Sequence, residues 1–480
     1  MQNKIDADFF SIIDTTDKPK KFFEDQNFVD FKKIWFLHDH TLPTSDIDMN
    51  YLKSFEEKYE INLWTLAINE RLFYRFNDFY RFSKLEMLSI LEKECKLFEK
   101  ILDTTNPNFT ILHEPFFHTD QLFYRICKAK GVKILMSYVS NFGYKWEISQ
   151  NNHIMDIINE FNNTSSKGRD FKELEETFNQ KNISKFIKNV NEHTFRNKID
   201  FIKAAINFGI KTKNVNPKTH YTYFGRTKLK VLFNRLNNFL KTYSRKKFID
   251  KKLTKSVDYT TNYVYFPLHI EQERTSLIET PFYTNQIEFV RNIVKSLPIN
   301  YTLYVKEHPT QSMRHWRSKK WYSEIMNIPN IILIHPNISS KKLIENCSLV
   351  ITLSGTAALE AAFLQKPSIT FVDSDYTKIS SIERVRAIED LPRIIRKSLQ
   401  KKITPVDLDR YVSLIENYAF DSDTMSFQEN ISNKFFHGGQ LVDVNIHDDS
   451  MKEFLIENEK DLEEFTNQHI KKIEFLKKLS

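Results

Sequence analysis

Short apolar runs that end in polar loops recur along this chain, and between them apolar residues return at helical spacing. The run at 34–37 (IWFL) leads into HDHTLPTSD, and the run at 109–112 leads into HEPFFHTD. A helical pattern at 121–130 follows, closed by Gly131 as a helix stop, and then a third run at 132–136. An apolar stretch at 61–68 precedes a long Phe/Tyr-rich helical region that reaches about Leu102. From Tyr263 the alternation becomes regular, with strands predicted at 263–266, 301–305, 331–334, 349–353 and 368–372. Between the first two, Ile287, Val290, Ile293, Val294 and Leu297 recur with a period near 3.6, which predicts a helix over 286–297. Strands alternating with helices specify an α/β fold with parallel, doubly wound sheets. Beyond about Thr404 the pattern is helical, ending in one long helix over 451–479.

Composition narrows the picture. With 480 residues, 41 Phe and 20 Tyr, the chain is too long for one ordinary core and apolar enough for at least two. Cys95, Cys127 and Cys347 form no C-x-x-C pair and fit buried thiols in a reducing compartment. The start of the chain has no apolar core of signal-peptide length, and no run suits a membrane span, so a cytoplasmic protein is expected. The formal net charge of +8 favours anionic partners, but no nucleic-acid motif is present and no nucleic acid is expected. Much of the basic charge lies between Arg226 and Lys252, amid Leu and Phe. That segment reads either as a solvated basic face or as an amphipathic surface for anionic lipid or glycan.

The candidate chemistry falls after strand ends, where open α/β sheets bind ligands. Only 8 glycines occur in the chain, and one of them, Gly355, stands between Ser354 and Thr356 where a strand gives way to an Ala/Leu-rich helix. Such a junction offers unpaired N–H groups and two hydroxyls to an anion, with no Cβ in the way; the alternative is simple helix capping. Glu360, one turn on, would be costly to bury without partners, which ribose hydroxyls could supply. In YVKEHP, Lys306, Glu307 and His308 leave a strand, and Pro309 biases His308 toward extended backbone. An imidazole there can donate to phosphate or, when protonated, serve a leaving group. LHIEQERTS gathers His269, Glu271, Glu273, Arg274 and Thr275, with Arg274 suited to clamp an anion and Glu273 to orient it. His335 in IHP reads as structural.

Together, FPLHIEQERTS, LYVKEHP, ITLSGTAALEAAFLQKP and VDSDY, spread over about a third of the chain, resemble the capsule polysaccharide biosynthesis proteins, which include Kdo transferases. The chain departs from that pattern at Gln272, where the family usually has Pro, and at Gln365, where it has Gly. The resemblance implies a GT-B-like architecture of two Rossmann-like domains. These would be an N-terminal, acceptor-side domain at 1–150, a basic helical insertion at 151–260, a nucleotide-sugar-binding domain at 261–404 and a helical tail at 405–480. It implies a metal-independent glycosyltransferase without a cofactor, using a nucleotide-activated sugar, Kdo or another acid sugar on CMP, and a glycan or glycolipid acceptor. By the same analogy His308, Ser354 and Thr356 meet the donor phosphate, with Lys306, Gly355, His269, Glu273, Arg274 and Thr275 around them, and Glu360 reaches the nucleoside. Glu114 is the candidate base, and His38, His113 and His118 are expected to line the acceptor cleft. Neighbouring strand residues point oppositely, so His38, Asp39 and His40 are not expected to hold a metal. Peripheral contact with the inner membrane face stays open. Other readings are a polyol-phosphate transferase, a sugar-nucleotide epimerase, or a non-catalytic assembly factor.

Overall fold

The computed structural model describes residues 1–181, 203–211, 213 and 215–479. The chain divides into two compact units: unit 1 takes Met1–Ser137, Asn189–Asn234 and Asp421–Ser480, and unit 2 takes Tyr138–Lys188 and Arg235–Phe420. In unit 1, strands β1 (Phe9–Ile13) and β2 (Phe31–Phe36) pair in parallel, as do β3 (Phe109–His113) and β4 (Lys133–Val139). The helix Lys84–Thr105 starts at a reciprocal cap, with Ser83 accepting from the Glu86 N–H and Glu86 accepting from the Ser83 N–H. It buries Ile90, Leu91 and Cys95 against Trp35, Phe55, Leu122 and Ile126, the core of this unit. The expected helix after β3 is present as His118–Ala129, and Gly131 ends it at a φ of +73°. β1 was not foreseen: FFSII is neither fully apolar nor alternating, and its strand exists through β2.

Unit 2 contains β5 (Trp146–Ser149), bridged by Trp146 to Phe420, and a six-stranded sheet. That sheet comprises β6 (Tyr263–Pro267), β7 (Thr302–Lys306), β8 (Ile331–Ile334), β9 (Leu349–Ile351), β10 (Ser368–Thr370) and β11 (Ile382–Arg384). Its order is β11-β10-β9-β6-β7-β8, with every paired neighbour parallel. This is the doubly wound Rossmann order, and the strand order reverses between β6 and β9. Alternation along the strands builds two faces. Val264, Phe266, Leu303, Val305 and Ile351 join one core with the helices Gln286–Ser296 and Leu391–Leu399. Tyr263, Tyr265, Tyr304 and Val350 join the other with Leu343 and Ile344, and Tyr263 stacks on Tyr304 at 4.1 Å between centroids. The α/β class expected from the sequence is therefore present, with a helical C-terminal tail.

Two local differences have clear causes. The long terminal helix is two helices, Asp448–Glu457 and Glu459–Lys478, because buried Asn458 donates its side-chain amide to the Phe454 carbonyl and leaves helical geometry. No described helix is long and apolar enough to cross a membrane. The helix Ala357–Phe363 ends in a Schellman motif: the Gln365 N–H donates to the Ala362 carbonyl (3.3 Å) and the Lys366 N–H to the Ala361 carbonyl (2.8 Å). Gln365 occupies the left-handed position at a φ of +57°. The residue that breaks the family's Gly-Lys-Pro pattern thus sits where glycine is least strained. Gln365→Gly is expected to stabilise unit 2 by about 1 kcal/mol, read as a higher denaturation midpoint with unchanged slope. An unchanged or lower midpoint would mean that the Gln365 side chain contributes more than its backbone strain costs.

Candidate functional site

The reversal of strand order puts the loop after β6 beside the loop after β9, and β7 delivers its own loop on the other side of β6. His269 follows β6 and closes the gap to β9. Its Nε2 accepts from the Leu353 N–H (3.2 Å) and lies 3.0 Å from the Thr352 hydroxyl, which assigns the ring proton to Nδ1. Gln286 fixes the His269 backbone reciprocally, accepting from its N–H and donating to its carbonyl, both at 2.8 Å. This arrangement accounts for Gly355. A Cβ there would stand 2.9 Å from Thr352 Oγ1 and 3.2 Å from His269 Cε1, so the missing side chain leaves room for the imidazole.

Glu307 is turned away from this crevice. It accepts from the Arg317 Nε–H (2.9 Å), the Tyr322 hydroxyl (2.7 Å) and the His308 N–H (2.6 Å). Arg317, which the sequence reading did not single out, also donates to Glu271 (2.7 Å) and to the His269 carbonyl (2.6 Å). His308 begins the turn Pro309–Arg314, and its Nδ1 accepts from the Thr310 N–H (3.3 Å) with the Thr310 hydroxyl at 2.8 Å. The ring proton therefore sits on Nε2, for which no hydrogen-bond partner occurs among the described residues. Burial, with Lys306 and Arg317 nearby, holds the His308 imidazole down to about 4 against the pull of Glu307. Burial, His308 and Arg317 hold His269 down to about 3. Both rings are thus neutral near pH 7, and His308 is a hydrogen-bond donor rather than a standing cation.

Lys306 is buried, donates to the Ser340 hydroxyl at 2.7 Å, and is brought down to about 8 by burial, opposed by Glu360 and Glu307. Glu360 accepts from the Thr356 hydroxyl at 2.9 Å; burial raises its carboxyl against the influence of Thr356 and Lys306. Tyr144 lies close enough for Glu360 to help burial push its phenol up to about 12. Ser354 donates to Glu279 at 2.5 Å, and Glu279 also meets Arg274 (3.1 Å) and His153 (3.3 Å). Burial works against this charge, yet His153, Arg274 and Ser354 keep the Glu279 carboxyl near 2. Arg274 reaches onward to Asn152 Oδ1 at 3.0 Å. One carboxylate on Arg274 is therefore Glu279, one helical turn past the loop singled out in the sequence. Glu273 is exposed and its carbonyl caps the turn Thr275–Glu279, whose first residue, Thr275, accepts from the Thr280 N–H.

Unit 1 holds a separate cavity of about 480 Å³, lined among others by Asp14, His38, Glu70, His118, Tyr223 and Arg226. His118 lies buried between Glu70 (2.7 Å) and Glu94 (2.9 Å); burial disfavours its charge, but the two carboxylates raise it to about 10. His38 Nε2 is 2.6 Å from Asp14, whereas its buried Nδ1 has no partner among the described residues. The Nε of Arg226 is likewise buried without one, and its guanidinium lies over the rings of Phe79 (5.2 Å) and Tyr223 (5.1 Å). His38 and His118 therefore share this cavity. His113 and Glu114 do not line it: exposed His113 pairs with Asp120 at 3.4 Å, with Glu114 close by, at the end of β3.

Residues 165–378 match the family described as capsule polysaccharide biosynthesis protein. Comparison with curated proteins returns no match. Among solved structures, the β-Kdo 2,4 transferase of Thermosulfurimonas dismutans KpsC is 12% identical over 36% of this chain and 55% of its own, with a TM-score of 0.24. The β-Kdo 2,7 transferase of the same protein is 9% identical over 85% and 89%, with a TM-score of 0.30. The UDP-GlcNAc 2-epimerase of Methanocaldococcus jannaschii is 16% identical over 85% and 99%, at 0.26. The likeness to that family accordingly rests on the sequence match over residues 165–378.

The two depressed histidines set a pH dependence. An unfolded imidazole titrates near 6.5, while folded His269 and His308 titrate near 3 and 4, so the unfolded chain takes up protons first as pH falls. Their contribution is complete above pH 6.5 and is lost as pH drops from 6.5 toward 3. His269→Gln should lower stability at neutral pH and flatten this acid limb. An acid limb as steep in the variant, in denaturation midpoints taken across the window, would rule out the buried neutral ring as its source.

Proposed function

We propose, on the premise that residues 165–378 belong to the capsule polysaccharide biosynthesis family, that the protein is a glycosyltransferase of surface polysaccharide synthesis. Its donor is a nucleotide-activated sugar, most consistent with a CMP-linked acid sugar, and its chemistry needs no metal. The observation that carries this reading is the gathering of His269, Lys306, His308, Ser354, Thr356 and Glu360 at the strand-order reversal of a Rossmann sheet. Two proximities support it: His308 shifts the titration of His269, and Lys306 and Glu360 influence each other's. In this proposal the donor phosphate takes the His308 Nε2–H and the Lys306 ammonium, and the hydroxyls of Ser354 and Thr356 turn to it from Glu279 and Glu360. Charge that builds on the phosphate as the sugar–oxygen bond breaks is met by donors already in place. Glu360 accepts hydroxyls of the nucleoside.

The unit 1 cavity supports a glycan acceptor. His38 donates through Nε2 to Asp14, so in the neutral ring Nδ1 is an acceptor in need of a donor; the Arg226 Nε–H is a donor in need of an acceptor. A hydroxyl can meet both needs, whereas a phosphate or carboxylate meets only the second. The Asp14 carboxylate beside His38 further disfavours an anion there. Phe117, Tyr221 and Tyr223 are among the aromatic residues that line it. With the acceptor in this cavity its proton goes to the His38–Asp14 pair; Glu114, at the end of β3 and outside the lining, takes it only where the acceptor hydroxyl projects beyond the cavity.

Thermal-shift measurements with CMP, CDP, UDP and GDP should show the largest stabilisation with CMP, and no shift with any of them would overturn the donor assignment. His308→Ala should cut transfer by about 100-fold or more; unchanged turnover with a defined donor removes it from the phosphate site. His38→Asn and Glu114→Gln, assayed separately, identify the base: the variant that loses transfer while keeping the nucleotide shift is the base, and two fully active variants would exclude both.

A further inference from the structure

The 25-residue helix Lys228–Lys252 has an apolar face that nothing covers among the described residues. Leu229, Leu232, Phe233, Leu236, Phe239, Leu240 and Tyr243 are all exposed; Leu229 is 81%, Phe233 71% and Phe239 70% accessible. At helical spacing these side chains fall within an arc of about 120°. Lys228, Arg235 and Lys246 border one edge of that arc, and Lys230 and Lys241 border the other. The opposite side anchors the helix: Thr242 bonds the His315 ring (2.9 Å), Arg245 donates to the carbonyls of His315 (3.0 Å) and Trp316 (2.8 Å), and Ile249 is buried in the sheet core.

Charge is concentrated in the same place. The helix carries nine Lys and Arg against one Asp, a net +8, which equals the formal net charge of the entire chain. The remaining 61 basic and 61 acidic side chains cancel. An amphipathic arrangement usually directs its apolar stripe inward; here the stripe faces out and is bordered by long cationic side chains that can keep their charges in water while their stems lie along apolar surface.

We infer that this helix docks the protein, in the plane of the interface, onto an anionic bilayer surface. The apolar arc enters the headgroup boundary, and the flanking Lys side chains meet acidic lipid headgroups. A second copy of this chain is disfavoured as the occupant, because two faces of the same high charge would be opposed. The docking is independent of which sugar is transferred.

The test is co-sedimentation of the full chain with vesicles of phosphatidylcholine alone and of equal parts phosphatidylcholine and phosphatidylglycerol. Binding should rise about tenfold or more with phosphatidylglycerol and fall with added salt. Two variants separate the contributions. Phe233→Ser with Phe239→Ser, both at exposed positions, should reduce binding to the mixed vesicles about tenfold. Lys230→Gln with Lys241→Gln and Lys246→Gln should abolish the preference for phosphatidylglycerol. Equal binding to both vesicle types, no binding to either, or full binding by both variants would overturn the inference. Concentration-dependent self-association that only the Phe variant loses, without vesicle binding, would assign the face to a second copy instead.

Discussion

One buried guanidinium holds the candidate donor site together. Arg317 ties the β6 loop, through Glu271 and the His269 carbonyl, to Glu307 at the end of β7. Its side chain is only 3% exposed and that of Glu307 is fully buried, so neither charge could stand alone. Removing one partner of such a pair typically costs about 3–5 kcal/mol, because the other is left charged and unsolvated. Through this clamp the histidine that bridges the strand-order reversal and the histidine that begins the next loop are held as one rigid assembly. Their neutrality follows chiefly from burial, and the fixed cation adds to it by disfavouring further positive charge.

The fold of unit 2 was largely legible because its strands are buried on both faces. Such strands read as unbroken apolar runs, and the start points of β6 to β10 lie within a residue or so of the expected ones. β11, with the sequence IER, was not legible, since its alternation is too short to register and its pairing with β10 creates it. In unit 1 the weak pattern of β1 failed for the same reason. Chain crossings between the units at Tyr138, Asn189, Arg235 and Asp421 carry no compositional mark.

The site was legible as motifs but not as partnerships. His269, His308 and the Ser-Gly-Thr turn were visible because polar residues cluster after strand ends. Arg317 and Glu279 were not: each lies past the end of its motif, and its meaning comes from a contact made across loops. Gly355 shows the difference well. A glycine beside two hydroxyls suggests space left for a ligand, whereas the space is taken by an imidazole from 86 positions earlier in the chain.

The division of the chain also bears on how the molecule is made. Unit 1 is closed by its last 60 residues: Lys133 donates to the Leu476 carbonyl, and Lys18 meets Asp443. All of unit 2 is synthesised before those residues. The Rossmann sheet can therefore settle while the first 137 residues still lack the carboxy-terminal segment that Lys18 and Lys133 hold. The amino-terminal part is thus translated before unit 2 and completed after it.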